Sequence, residues 1–212
     1  GLLGITGLTA TTTSLLNTAV DVSANDKTAV DTAAELQALA DAAAAVATGA
    51  AGGTAPTLAQ LQLLGVTGVT ADNLSAVQAA IAATADDASG VDTLAELQSV
   101  ANTAVNALTA ISTAAQANNA TAGSPSTTDY ANAGVTGVTA GNLAAINSAL
   151  NTAAVIGTSV DSAAEVQAVV NAYVAVLAAA DGTADGDAGA TQAQYGLLGI
   201  TGLTATTTSL LN

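Results

Sequence analysis

Residues 65–98 read GVTGVTADNLSAVQAAIAATADDASGVDTLAELQ, and this stretch decides the fold. It contains two short motifs that recur along the chain: GVTG at 65–68 and VDTLAELQ at 91–98. The first motif recurs as GITG at 4–7, GVTG at 134–137 and GITG at 199–202, and the second as VDTAAELQ at 30–37 and VDSAAEVQ at 160–167. Self-similarity at a spacing of this size is typical of repeat proteins.

The spacing between the two motifs is constant, whereas the spacing between repeats is not. The first glycine of GxTG precedes the valine of the second motif by 26 residues in all three copies, but successive GxTG motifs are 61, 69 and 65 residues apart. The length variation therefore lies after the second motif, where a loop can absorb it. We divide the chain into repeat 1 (1–64, which begins at the tail of a third helix), repeat 2 (65–133), repeat 3 (134–198) and the start of the next block (199–212).

Each repeat is predicted to contain three α-helices. Thr70 is the predicted N-cap of a first helix that begins at Ala71, and Thr139 repeats this arrangement in repeat 3. The second helix begins at a Thr-x-x-Glu or Ser-x-x-Glu capping box, which is Thr32 with Glu35, Thr93 with Glu96, and Ser162 with Glu165. The third helix begins eight residues before the glycine of GxTG, whose left-handed conformation would end it. A large side chain four residues before that glycine is the predicted core plug of each repeat: Leu61, Tyr130 and Tyr195.

These patterns predict an all-α fold. The expected architecture is a series of tandem three-helix repeats of about 65 residues, stacked or abutted into an elongated array. A unit of that size with an alanine-rich core buries little apolar surface alone, so packing against a neighbouring repeat would stabilise it.

The two ends of the chain carry the same sequence. GLLGITGLTATTTSLLN occupies residues 1–17 and again residues 196–212, one period of 195 residues later. The three internal repeats differ from one another, whereas these two segments agree at all 17 positions. We therefore expect a 195-residue block that is repeated nearly verbatim, of which this chain is a stretch cut from a longer array.

Composition excludes most functions that depend on reactive or basic side chains. The chain has no His, Cys or Arg, its only basic residue is Lys27, and its net charge is −15. Without imidazole or thiol, Lys27 or a carboxylate is the only conceivable base that could activate a Ser or Thr hydroxyl, so we expect no enzyme. The negative charge argues against nucleic acid as a partner. The longest apolar stretch, 168–180, is shorter than the roughly 20 residues that a membrane span needs, so none is expected.

Three acidic groups are candidate sites. The stretch DGTADGDAG at 181–189 could place Asp181, Asp185 and Asp187 around Ca²⁺, although it lacks the complete ligand order and closing Glu of an EF-hand, and a solvated loop is the other interpretation. Asp86, Asp87 and Asp92 form a second cluster, which turn formation and helix-dipole complementarity also explain. Glu35, Glu96 and Glu165 recur at one position and are interpreted as helix caps rather than as a glycosidase pair. No other cofactor is expected.

The repeats, with GVTADNLSAVQAAIAA at 68–83 followed by VDTLAELQ, resemble the repeat regions of giant bacterial extracellular proteins of the biofilm and adhesin class. The resemblance spans essentially the whole chain and implies an extracellular location at the cell surface. The resulting hypothesis is a structural subunit of an extracellular filament, sheath or surface fibre, with the chain itself as its partner. The alternative is a spacer or stalk, or a calcium- or glycan-binding repeat array, of a giant bacterial adhesin.

Overall fold

The fold was analysed in a computed structural model, which describes residues 4–22, 28, 30–85, 87–118, 124–180 and 189–211, the side chains of 209–211 excepted. The described part contains ten α-helices, one short 3₁₀ helix and no β-strand. The prediction of an all-α fold is therefore confirmed.

The helices occur in the following order along the chain. Residues 4–64 contain α1 (Ala10–Asp21), α2 (Ala33–Ala50) and α3 (Leu58–Leu63). Residues 65–133 contain α4 (Leu74–Ala82), α5 (Leu94–Ala117) and α6 (Thr127–Asn132). Residues 134–211 contain α7 (Leu143–Leu150), the 3₁₀ helix (Gly157–Ser159), α8 (Ala163–Ala179), α9 (Gln192–Leu197) and α10 (Ala205–Leu211).

The long helices α2, α5 and α8 begin at the predicted capping boxes. The backbone N–H of Glu35 donates to Thr32 Oγ1 at 3.2 Å, and the N–H of Thr32 donates to Glu35 Oε2 at 2.9 Å. The same reciprocal bonds are made by Thr93 with Glu96 and by Ser162 with Glu165. Each box satisfies backbone donors that the first helical turn leaves free.

The short helices α3, α6 and α9 end at the glycine of GxTG. At α3, the N–H of Val66 donates to the carbonyl of Leu61 and that of Gly65 to the carbonyl of Gln62, both at 3.0 Å. Gly65 has φ +93°, a value that a side chain would strain, and these features together form a Schellman motif. Gly134 and Gly199 repeat the bonds and the positive φ, so this prediction is also confirmed.

The start of the first helix differs from the prediction in two of the three copies. α1 begins at Ala10, directly after its N-cap Thr9, but α4 begins at Leu74 and not at Ala71, because a turn occupies 71–73. In that turn Asn73 Oδ1 accepts from the N–H of Thr70 at 2.8 Å, and Asn73 Nδ2 donates to the carbonyl of Gly68 at 3.0 Å. The asparagine amide thus holds the backbone in a turn and postpones the helix by three residues. Asn142 has the same effect before α7.

The chain divides into two compact units, residues 1–105 and residues 106–212. In the first unit, buried side chains from α1 to α4 form the core, among them Leu15, Leu39, Val46, Leu61 and Ile81. In the second unit, Tyr130, Ile146, Leu150, Val166 and Val170 belong to one buried apolar cluster. The predicted core plugs Leu61, Tyr130 and Tyr195 are all buried.

Candidate functional site

The predicted calcium ligands Asp181, Asp185 and Asp187 lie outside the described residues, as do Asp86 and Lys27. Among the residues that are described, no group of three or more His, Cys, Asp or Glu side chains is placed to hold a metal ion. Asp87 Oδ1 accepts from the N–H of Ser89 at 3.0 Å, which lowers the pKa of Asp87 and fits its interpretation as a turn residue.

The recurrent glutamates act as helix caps. Hydrogen bonds from Thr32 lower the pKa of Glu35, and hydrogen bonds from Thr93 lower the pKa of Glu96. The residue before each cap, Asp31 or Asp92, lies beside the same glutamate carboxylate, and that neighbour raises the pKa of the aspartate. The carboxylates therefore interact with each other within one capped turn.

The most regular polar arrangement is a contact that the sequence analysis did not assign. The N–H of Thr6 donates to Gln37 Oε1 at 2.9 Å, and Gln37 Nε2 donates to the carbonyl of Thr6 at 3.3 Å. The side-chain amide thus pairs with both polar groups of one backbone residue, as a neighbouring β-strand would. We call this pair of bonds the glutamine clamp.

The clamp occurs once in each repeat in which a GxTG motif is followed by the motif that ends in ELQ or EVQ. Gln98 pairs with Thr67 at 2.8 and 3.1 Å, and Gln167 pairs with Thr136 at 2.8 and 3.0 Å. In all three copies the two partners are 31 residues apart. The clamp therefore gives a physical reason for the constant spacing of the motifs, because any insertion between them would separate the two groups.

A second hydrogen bond orients each clamp glutamine. Its Nε2 also donates to an oxygen one helical turn further along, at 2.7 Å on Asp41, 2.8 Å on Asn102 and 2.9 Å on Asn171. Both N–H groups of the amide are then used, so the oxygen must face the backbone N–H of the threonine. The signal in the sequence was the glutamine that ends each ELQ or EVQ motif.

A buried polar network surrounds one of the core plugs. The hydroxyl of Tyr130 donates to Asn147 Oδ1 at 2.8 Å, and Asn147 Nδ2 donates to the carbonyl of Pro125 at 2.9 Å. Burial raises the pKa of the Tyr130 phenol, which therefore stays protonated. In the first unit Gln78 Nε2 bonds the carbonyl of Pro56 at 2.8 Å, so an amide recurs in this place without the tyrosine. The network is structural, and sequence analysis did not identify Asn147 or Gln78.

An open groove of about 460 Å³ lies on the first unit between the start of α1 and the second half of α2. Its lining is small and mainly apolar: Gly7, Thr9, Thr12, Ala44, Ala47, Thr48, Ala51 and Gly53. A small-molecule site usually has convergent polar groups, and this lining contains no charged side chain. The groove alone therefore does not indicate a ligand.

No helix in the described part of the chain has the length and apolar character needed to cross a membrane. A scan against protein-family models and searches of curated proteins and of solved structures found no match.

Proposed function

We propose that this chain is a structural segment of an extracellular filament, sheath or surface fibre, and that it has no catalytic activity. The fibre consists of 195-residue blocks, each formed by three-helix repeats that stack into an elongated array. The observation that carries this proposal is the threefold recurrence of the glutamine clamp with the same partners and the same spacing. Repeated local geometry of this kind is what a repeat array requires.

The use of polar side chains also supports a structural role. Recurrent Thr, Ser, Glu and Gln side chains form caps and clamps, and no buried side-chain nitrogen or oxygen among the described residues lacks a hydrogen-bond partner. An active site normally retains strongly perturbed groups that converge on a pocket. Here the carboxylates with lowered pKa values, Glu35 and Glu96, lie at exposed helix starts, where their hydrogen bonds to Thr32 and Thr93 stabilise secondary structure.

The proposed partner of the chain is the chain itself, and the proposed location is the cell surface. The resemblance to repeat regions of giant bacterial surface proteins supports that location. Three-helix repeats of about 65 residues are too small to bury much apolar area each, so contacts between repeats and between chains would add stability. A net charge of −15 with one cation disfavours nucleic acid and anionic surfaces as partners.

The second candidate is a stalk, or a calcium- or glycan-binding array, of a giant adhesin. The stretch at 181–189, with its three aspartates, is the feature that favours a calcium-dependent version. In that case the repeats would act as a spacer for binding domains elsewhere, and calcium would stiffen the chain.

Electron microscopy of the purified chain and of native extracellular material that contains it, with and without EDTA, separates the two candidates. We expect uniform fibres with a regular axial repeat that persist in EDTA. Isolated flexible strings, or fibres that dissolve in EDTA, would overturn the structural-fibre proposal and favour the adhesin array.

A further inference from the structure

The boundary between two sequence repeats is crossed by a side-chain hydrogen bond in each compact unit. In the first unit, Gln78 Nε2 of repeat 2 donates to the carbonyl of Pro56 in repeat 1 at 2.8 Å. In the second unit, Asn147 Nδ2 of repeat 3 donates to the carbonyl of Pro125 in repeat 2 at 2.9 Å. The partners are 22 residues apart in both bonds. Each bond therefore joins the first helix of one repeat to the residues directly before the third helix of the preceding repeat.

A glycine on α2 allows apolar packing at the same boundary in the first unit. α4 of repeat 2 packs against α2 of repeat 1, and Ile81 on α4 is fully buried. A Cβ added at Gly49 on α2 would lie 2.9 Å from Cδ of Pro56 and 3.7 Å from Cγ2 of Ile81. Because Gly49 has no side chain, α4 and Pro56 can both lie close to α2.

The end of α1 makes a further contact across this boundary. The N–H of Leu94, the first residue of α5 in repeat 2, donates to Thr18 Oγ1 on α1 at 2.9 Å, across 76 residues of chain. An N–H in the first turn has no acceptor within its own helix, so Thr18 of repeat 1 acts as a cap for a helix of repeat 2. A Cβ added at Gly65 would lie 3.6 Å from Cδ2 of Leu94 and 3.8 Å from Cγ2 of Val22, which places the end of α1 beside the repeat boundary.

The second unit has comparable contacts between repeats 2 and 3. The N–H of Gly157, at the start of the 3₁₀ helix of repeat 3, donates to Gln116 Oε1 near the end of α5 at 3.2 Å. The buried apolar cluster of this unit contains Ile111 of α5 together with Ile146 of α7. Polar and apolar side chains of adjacent repeats therefore meet in this unit as well.

We propose that consecutive repeats are interlocked, so that the first helix of each repeat is a structural part of the preceding repeat. It completes the core that the second and third helices of that repeat begin. The compact units agree with this stagger, because they divide at 105/106, within α5, and not at the sequence boundaries 64/65 or 133/134.

This inference rests on the proposed fibre function and deepens it by naming the contacts that transmit tension from one repeat to the next. In a repeat array, stability is the sum of terms for each repeat and for each interface between neighbours. Here the interface contains buried side chains and hydrogen bonds of both partners. One repeat therefore cannot unfold without exposing part of the core of its neighbour.

Hydrogen exchange of the full chain shows on which side of the boundary a change in α4 acts. Gln78→Ala removes the bond to Pro56, and Ile81→Val shortens the buried side chain that faces Gly49. We expect each variant to speed amide exchange in α2 and α3 of repeat 1 about tenfold, because α4 then opens more often and uncovers them. Ser75→Ala, at an exposed position on the same helix, is the matched control and should leave α2 and α3 unchanged. Faster exchange confined to α4, α5 and α6, the helices of the same sequence repeat, would overturn the proposal.

A substitution on the other side of the boundary tests the contact from repeat 1. Thr18→Val keeps the shape of the side chain but removes the acceptor for the N–H of Leu94, so amide exchange at the start of α5 should become faster. Thr18→Ser should restore the slow exchange. Thr103→Val is the matched control, since Thr103 is exposed and its hydroxyl donates to the carbonyl of Ser99 in its own helix. Equal exchange at Leu94 in the parent and in Thr18→Val would contradict the cross-repeat cap.

Stretching the full chain between its two ends in a force microscope tests whether the repeats separate. Interlocked repeats should unfold in steps that release at least a staggered unit such as residues 1–105, which lengthens the chain by about 350 Å or more. Gln78→Ala should lower the force of the first step. Steps of about 200–250 Å, which correspond to single sequence repeats of 61–69 residues, would overturn the proposal.

Electron microscopy of the same unsubstituted chain separates the interlock from the fibre function. If the chain forms fibres but unfolds in steps of single repeats, the interlock fails and the proposed function stands. If it unfolds in the longer steps but forms no fibre at any concentration, the proposed function fails and the interlock stands.

Discussion

At the residue scale, the glutamine clamp connects two parts of the sequence that lie 31 residues apart. We expect Gln98→Ala to lower the free energy of unfolding by about 1–2 kcal/mol, because it removes two bonds to the backbone of Thr67 and one to Asn102. The site is exposed, so water can satisfy the released groups and the loss stays modest. Urea denaturation measures the effect.

Gln62→Ala is the matched control for that experiment, since Gln62 is an exposed glutamine on α3. It should change the free energy of unfolding by less than about 0.5 kcal/mol. Equal effects of the two substitutions would mean that the clamp contributes no stability.

The aspartate before each capping box predicts a dependence of stability on pH. The Glu35 carboxylate raises the pKa of Asp31 in the folded chain, so ionised Asp31 destabilises the fold at neutral pH. The stabilising contribution of protonated Asp31 is complete below its unfolded pKa of about 3.8 and is lost as pH rises through the higher folded value. Asp31→Asn should therefore raise the Tm at pH 7, and this gain should shrink towards zero below pH 3.8.

The control for Asp31→Asn is Asp72→Asn, which removes one charge from the exposed turn before α4. Thermal unfolding followed by circular dichroism at pH 7, 5 and 3 distinguishes the two. The Asp31–Glu35 interaction would be unimportant if both variants gained the same Tm at pH 7.

At the element scale, the end of the third helix depends on a glycine in the left-handed conformation. Gly199 has φ +80°, and a Cβ added there would lie 2.7 Å from Thr152 Oγ1 and 3.1 Å from the Cβ of Ala154. We expect Gly199→Ala to destabilise the second unit by about 1–3 kcal/mol, from backbone strain and this close approach.

Gly196, three residues earlier in α9, has open space around the added Cβ, so Gly196→Ala should stabilise the unit by about 0.5–1 kcal/mol. Denaturant melts of the two variants should move in opposite directions, and a shift in the same direction would refute the assigned helix end.

The elements that sequence predicted well are those with local causes. A capping box and a glycine helix end each involve groups that lie within about five residues of one another, so the local sequence pattern is enough to predict them. The starts of α4 and α7 were predicted too early in the sequence. The side chains of Asn73 and Asn142 donate to the carbonyls of Gly68 and Gly137, and this local hydrogen bond competes with helix formation. The clamp was missed because its partners are 31 residues apart and their pairing depends on how the helices pack. The burial of Asn147 depends on the same packing, since its partners Tyr130 and Pro125 are 17 and 22 residues away.

At the scale of the whole molecule, the charge distribution makes assembly sensitive to salt. The chain carries 16 acidic residues and one basic residue, so copies that approach each other repel. The screening length falls from about 30 Å at 0.01 M to about 10 Å at 0.1 M ionic strength, and self-association should therefore strengthen over that range. Sedimentation in NaCl at these two ionic strengths measures the change.

Calcium at matched ionic strength separates general screening from a specific site. If screening alone acts, CaCl₂ and MgCl₂ at the same ionic strength should promote assembly equally, and EDTA should reverse neither beyond the change in ionic strength. A much stronger effect of Ca²⁺ than of Mg²⁺ would instead indicate an oxygen-ligand site that prefers the larger ion. The triple variant Asp181→Asn/Asp185→Asn/Asp187→Asn tests where such a calcium site lies. Loss of the calcium effect in that variant would assign the site to 181–189. It would also favour the calcium-dependent adhesin array over the fibre. We expect the triple variant to assemble slightly more readily than the parent in every salt, since it removes three negative charges and, on the fibre proposal, no ligand.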